Sequence, residues 1–328
     1  MSHLGHRRVC RLSRVMAARA LVAAVVGILL VSVGFAADKQ IVVLGTATPG
    51  GGFPVYGQAI ADTVNEIDPS LVIETRNTKG STENVPLLGR GELDLGLVQG
   101  EVAQEALAPG RPALTIITAM YTTPGMFVVR ADSPYRSIDD LKGQPVALGA
   151  RGSGLVVLAK YVLDGLGLDP ERDFQAVYLE RAGDGPLMVL DGRVAALWGG
   201  GTGWPGFTEV ARSSTGARFL VPDAAGINRI QAKHPFLKTL AIAAGSYPGQ
   251  DAPITSVGSW SFILARPTLA DDVAYRVARA LHRGEAALAR RLPQARETTA
   301  ANTVAAAPRA DLIHPGVRRY LKEIGLIP

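Results

Sequence analysis

Short apolar runs alternate along the chain with stretches where apolar residues recur every three or four positions. This alternation predicts strands separated by helices. Ile41, Val42, Val43 and Leu44 form an unbroken apolar run that stops at Gly45, as expected of a strand buried on both faces. Tyr56, Ile60, Val64 and Ile67 follow at near-helical spacing, with Pro54 suited to the first helical position. Residues 71–74, 95–98 and 114–118 read as further strands. The resulting β-α-β-α order predicts a parallel α/β sheet.

The pattern restarts after Phe127-Val128-Val129. Residues 134–143 read as a turn and a short helix, and 146–148 as a strand. Gly149-Ala150-Arg151-Gly152-Ser153-Gly154 then opens a helix carrying Val157, Tyr161 and Leu163. Residues 176–179, 194–198, 219–221 and 260–264 read as strands. Thr268 is placed to cap a helix with Asp271 three residues on. Leu269, Val273, Val277 and Leu281 then form a four-residue stripe assigned to the core.

Three of the predicted helices begin at glycine-rich turns: residues 46–52, Gly80-Ser81 and Gly152-Ser153-Gly154. A helix start offers partial positive charge and N–H groups without intrahelical acceptors, and glycine lets a ligand approach the backbone. If the three starts face one cleft, they favour a carboxylate-bearing ligand. Thr46, Thr48 and Phe53 belong to the first turn. Arg151 is the candidate bidentate clamp, because a guanidinium fork matches two carboxylate oxygens; its other reading is a solvated or paired arginine. Gln99 ends a strand, where open α/β sheets bind ligands, and either contacts the ligand or only satisfies the strand end. Ser81 and Ser153 suit helix caps that can also touch a ligand. Asn84 is a contact or a brace of its turn. Trp198 and Trp204 flank a glycine run and either wall the pocket or pack in the core, and Tyr56 is left open in the same way.

The amino terminus alters the charge picture. Residues 1–36 hold Arg7, Arg8, Arg11, Arg14 and Arg19 and no acid, then an uncharged apolar run from Ala20 to Val33 and small residues up to Ala36. This is the layout of a secretory signal peptide cleaved near Ala36. The run is short for a membrane span, which needs about 20 residues; Met16 is an alternative start. Those five arginines account for the whole formal charge of +5, so the remainder is neutral and no nucleic-acid surface is expected. The single cysteine, Cys10, lies in the same segment, which leaves no disulfide, cysteine nucleophile or Cys-ligated metal for the exported protein. The three histidines beyond that segment, His234, His282 and His314, are scattered and give no metal spacing. Nucleophile-elbow, phosphate-loop and metalloprotease motifs are absent from the sequence. No enzyme, cofactor or metal is expected.

Six ordered blocks carry a family resemblance: residues 45–57; Gly80-Ser81-Thr82-Glu83-Asn84; Gly91-Glu92-Leu93-Asp94 with its strand to Gln99; residues 149–155; Ser246-Tyr247-Pro248-Gly249-Gln250-Asp251; and His314-Pro315-Gly316-Val317 before Tyr320 and Glu323-Ile324-Gly325. Together they resemble the extracytoplasmic solute receptors of the TAXI branch of TRAP transporters. The resemblance implies an α/β, two-lobed periplasmic binding protein (type II-like), each lobe a mainly parallel sheet flanked by helices, joined at a hinge. Lobe one would comprise 37–126 plus 254–328, and lobe two 127–253. It further implies a periplasmic receptor for a small organic anion such as glutamate or a related dicarboxylate, delivered to integral-membrane TRAP permease subunits. A sensor kinase as partner, or an exported enzyme, are the alternatives. The chain departs from the pattern at Leu155, where the family has Thr, at Ala195, where it has Asp, and at Pro86, which either sits inside the second helix or marks its start.

Overall fold

The computed structural model describes residues 39–111 and 113–328. The expected signal peptide, residues 1–36, lies outside the described residues. From Gln40 onward the chain forms one unit.

The first half alternates as its pattern requires: β1 (Gln40–Gly45), α1 (Gly52–Ile67), β2 (Leu71–Arg76), α2 (Ser81–Gly89), β3 (Leu95–Val98), α3 (Gly100–Ala106) and β4 (Thr115–Arg130). β1 pairs in parallel with β2 and β3. A second group follows: β5 (Pro145–Ala150), α4 (Gly154–Leu166), α5 (Pro170–Asp173), β6 (Gln175–Leu179), α6 (Asp184–Leu190), β7 (Ala196–Gly200), α7 (Pro205–Arg212), β8 (Ala217–Leu220), α8 (Ala224–Lys233) and β9 (Lys238–Ile242). β5 pairs in parallel with β6 and β7. The chain returns through β10 (Ile254–Ala265) to α9 (Asp271–Arg291), α10 (Ala300–Ala306) and α11 (Pro315–Glu323).

The strand order is β2-β1-β3-β10-β4-β7-β5-β6, so two parallel wings are joined by the antiparallel pair β10 and β4. The near end of β4 pairs with β10 beside the first wing, and its far end pairs with β7 and β8 in the second. One expectation changes here. The strand expected at 114–118 runs on from Thr115 to Arg130 as one 16-residue strand, through the residues after which the pattern restarts. Thr122-Thr123-Pro124-Gly125 reads as a turn by composition. Yet β4 is buried along most of its length, and its partners hold it extended through the proline. Gly258 faces Pro124 there, and a Cβ on Gly258 would run into the Thr123 carbonyl, so only glycine allows this approach.

Each wing has its own core. Val42, Leu44, Tyr56, Ile60, Val64 and Leu97 pack with the α9 stripe Val273, Val277 and Leu281. In the second wing Phe127, Val146, Leu148, Leu158, Val162 and Trp198 pack together. Thr268 does not cap α9. Its N-cap is Ala270, which makes no side-chain cap bond, and the Thr268 hydroxyl accepts from Arg266 instead.

Candidate functional site

The carboxyl ends of the parallel strands in both wings open on one cavity, the position at which open α/β sheets bind ligands. Its empty space is about 510 Å³, counting the open mouth. The turn from β1 to α1 supplies Ala47, Thr48 and Phe53. Gly80 and Ser81 come from the start of α2, and Gln99 from the end of β3. Across the cavity stand Ala150, Ser153, Gly154 and Leu155, where β5 meets α4, with Ala182 before α6 and Trp204 before α7. Tyr121 and Thr123 of β4 form the floor between the wings.

Three helices of useful length begin at this space: α1 at Gly52, α2 at Ser81 and α4 at Gly154. First-turn N–H groups have no intrahelical acceptor, so these ends aim donors and partial positive charge at the cavity. Ser153 caps α4 by accepting from Leu155 N at 3.2 Å. Ser81 Oγ accepts from Gln99 N at 3.0 Å, which ties α2 to the end of β3 and leaves the hydroxyl proton to donate elsewhere. Gln99 is 2% exposed, and its Nε2 has no hydrogen-bond partner among the described residues. The Gln99 side chain leans on the buried Glu101 carboxyl, whose charged form it favours, and its Cβ and Cγ lie against Gly154.

Thr48, Phe53, Ser81, Gln99, Ser153 and Trp204 therefore share one cavity. The other four candidates sit elsewhere. Thr46 is buried behind the wall, its N donating to Arg76 O at 2.9 Å. Asn84 Nδ2 donates to Thr46 O and Leu97 O at 2.8 Å and to Gly45 O at 3.3 Å. It braces α2 against the ends of β1 and β3. Trp198 is fully buried, edge-on to Phe127 with centroids 4.8 Å apart, and its Nε1 donates to Leu155 O at 2.8 Å. It supports the cavity wall from behind. Arg151 points to solvent: its side chain is 65% exposed, 3.7 Å from Glu180 and stacked over Tyr178. The expected charged clamp is thus not part of the cavity lining. The turn Gly149 to Gly152, with both glycines in the left-handed region, sends that side chain outward.

Tyr121, Thr123 and Ala182 were not anticipated. Thr123 lies in the stretch whose composition reads as a turn and Tyr121 stands just before it, past the strand expected to end at 118, so nothing marked them as a buried floor. Tyr121 is held neutral, its hydroxyl pushed well above the ordinary tyrosine value by burial and then by the neighbouring Tyr56 and Glu297. Trp204 is set by the block 246–251. Gln250 bridges that turn, accepting from Ser246 N at 3.1 Å and donating to Ala243 O at 3.1 Å. The turn delivers the Tyr247 hydroxyl to Gly201 O and to Trp204 N, which donates to it at 3.1 Å. The indole then covers Gly52, the first residue of α1.

The two wings touch directly at the cavity's lip. Gly152 O accepts from Thr82 N at 3.1 Å and from Thr82 Oγ1 at 2.9 Å. Ala182 N donates to Thr48 Oγ1 at 3.2 Å, and Gly183 N to Pro49 O at 3.4 Å. The structure is therefore closed over the cavity. α2 starts at Ser81 and runs through Pro86 to Gly89; the proline does not mark its start. The bond lost to Pro86 would have ended on the carbonyl of Thr82, an exposed residue, where water replaces it.

The profile of the NMT1-like family matches residues 44–325. Among solved structures, a protein from Bordetella bronchiseptica RB50 is 14% identical, with 88% of this chain and 98% of that chain covered and a TM-score of 0.55. The periplasmic binding protein BugD is 12% identical, with 87% of this chain and 95% of that chain covered and a TM-score of 0.55. At these identities the likeness is one of fold, and the fold is that of the periplasmic binding proteins.

Proposed function

This chain belongs to the NMT1-like family, and from that premise we propose that it is an extracytoplasmic solute receptor rather than an enzyme. It would be exported by the segment ending near Ala36, bind a small organic anion between its wings, and hand it to integral-membrane permease subunits. The observation that carries this reading is the cavity itself. Three helix N-termini face one space that closes between the two wings. Donors without acceptors are what an anion needs.

The lobe division 37–126 plus 254–328 against 127–253 belongs to the same proposal. Its first boundary falls inside β4 and its second just before β10, so both crossings would be strands that bend, not loops that swing. The TAXI subtype of TRAP transporter is supported by the six ordered sequence blocks. Four of those blocks line the cavity, at 45–57, Gly80-Ser81, Gln99 and 149–155, and a fifth holds Trp204 through Tyr247.

The test is a thermal-shift and calorimetric screen of the purified protein against amino acids, 2-oxoacids, monocarboxylates and dicarboxylates. One class of anion is expected to raise the melting temperature in a concentration-dependent way, because a ligand bound only by the native state stabilises it by RT ln(1 + [L]/Kd). Absence of stabilisation by every anion tried would refute the reading.

A further inference from the structure

Resting on the receptor reading, we propose that the cavity selects a monoanion: one oxyanion head on an uncharged, mainly apolar body. Diacids and α-amino acids would be excluded. The proposal starts from the side chains that surround the cavity, none of which is charged among the described residues. Its polar side chains are hydroxyls and one amide. The Ser81, Ser153 and Thr48 oxygens each already accept from a backbone N–H, which leaves their protons to donate beside the three helix starts. The first-turn N–H groups of Ser81 and Gly154 make no backbone hydrogen bond among the described residues. This set satisfies one carboxylate or sulfonate without any cationic side chain.

The opposite wall is apolar. Phe53, Tyr121, Leu155 and Trp204 present aromatic and aliphatic surface, and the small Ala47, Ala150 and Ala182 leave room for a body against it. A second carboxylate would be buried against that wall with no cation to meet it, since Arg151 is turned to solvent and paired with Glu180. An ammonium group would be buried among donors with no carboxylate in the lining. Burying an unpaired charge is costly enough that a group with no partner is rejected outright. Leu155, which stands where the resembling family has Thr, adds to the apolar side.

The experiment is isothermal titration of the purified protein with matched probes: hexanoate, phenylacetate and hexanesulfonate against adipate, glutamate and leucine. The expected result is that at least one monoanion binds and that adipate, glutamate and leucine bind on the order of a hundredfold more weakly, or not detectably. Gln99→Leu should weaken the binding monoanion about tenfold. Leu155→Arg should bring adipate into the measurable range. Binding of adipate or glutamate as tight as that of the monoanions would overturn the proposal and leave the receptor reading standing. Failure of all six, and of every compound in the wider screen, to bind would overturn both. Arg151→Ala should leave monoanion affinity unchanged; a tenfold or greater loss would mean that a cation serves the head group, and would also overturn the proposal.

Discussion

Glu101, the second residue of α3 and two positions after Gln99, is a fully buried carboxyl. Ser259 Oγ donates to its Oε1 at 2.7 Å, while Oε2 has no partner among the described residues. Burial outweighs that hydrogen bond and pushes the carboxyl up to about 7 from an ordinary 4.5. The folded protein therefore holds this proton after the unfolded chain has released it. Below about pH 4.5 both states are protonated and the group costs nothing. Stability falls as pH rises from there to about 7, and above that the penalty is constant, on the order of 3 kcal/mol at most. Glu101→Gln should consequently stabilise the protein at pH 8 by up to that order and leave it unchanged at pH 4.5, read by urea unfolding at both pH values. An equal gain at both would show that the carboxyl titrates alike in the folded and unfolded states. Asp68 works in the opposite sense and in a separate window. Its hydrogen bonds with Arg276 hold it down to about 2, so its contribution is complete above about pH 4 and is lost only as pH falls towards 2. Among single residues, the places of Gln99 at the end of an apolar run and of Ser153 as a helix cap were legible in sequence; Ser81 stands at a helix start but does not cap it, because the N-cap is Gly80 and the Ser81 hydroxyl accepts from Gln99 N instead. Arg151 was misleading because a residue's chemistry does not say which way a glycine turn will aim it. Asn84 was legible only as one of two roles, since a brace and a ligand contact call for the same side chain at the same turn.

At the scale of elements, strands and helices followed their periodicities closely, and the failures have common causes. β4 was cut short because its centre, Thr122 to Gly125, has the composition of a turn and its burial on both faces removes the alternation that marks a strand. Its continuity is set by pairing with β10, a contact between residues about 135 positions apart that no local pattern carries. The α9 cap was misplaced because a threonine near a helix start is a cap only if the chain enters there, and it enters at Ala270. The meeting of α2 and α4 is the element-scale feature with the sharpest consequence. Gly152 sits at φ 86°, and a Cβ there would lie 2.8 Å from Lys79 Cβ and 3.1 Å from Lys79 O. Gly152→Ala should thus strain its own turn by about 1 kcal/mol and, more important, hold the start of α4 away from α2. The expected outcome is a ligand affinity reduced tenfold or more with a small loss in unfolding free energy, read by calorimetry and urea melts on the same preparation. A loss of stability with affinity intact would mean that the Thr82 to Gly152 bonds belong to the fold and not to closure.

For the whole molecule, the question is what the closed cavity implies about binding. The direct hydrogen bonds between the wings at the lip come from Thr82, Ala182 and Gly183, and each is a backbone or hydroxyl contact of ordinary length. Such bonds contribute about 1 kcal/mol each in net terms, because water satisfies the same groups when they part. They are too weak to hold the wings shut unaided against the freedom gained on opening. The donors around the cavity differ: once closed, the helix starts are cut off from bulk water and need an occupant. A ligand that meets both wings would therefore bind the closed state far better than the open one, and that difference is all it has with which to shift the equilibrium. The two strands that pass between the wings suit this motion. β4 has Pro124 and Gly125 at the crossing, β10 has Gly258 opposite, and the ladder changes partners at that point from β10 to β7. Small-angle scattering should accordingly show a larger radius of gyration without ligand than with a saturating monoanion. The liganded curve should match the closed structure from residue 40 onward. Gly152→Ala should keep the larger radius at ligand concentrations that close the parent protein. Superimposable curves with and without bound ligand would mean that the cavity is filled without closure, and the lip contacts would then be permanent parts of the fold.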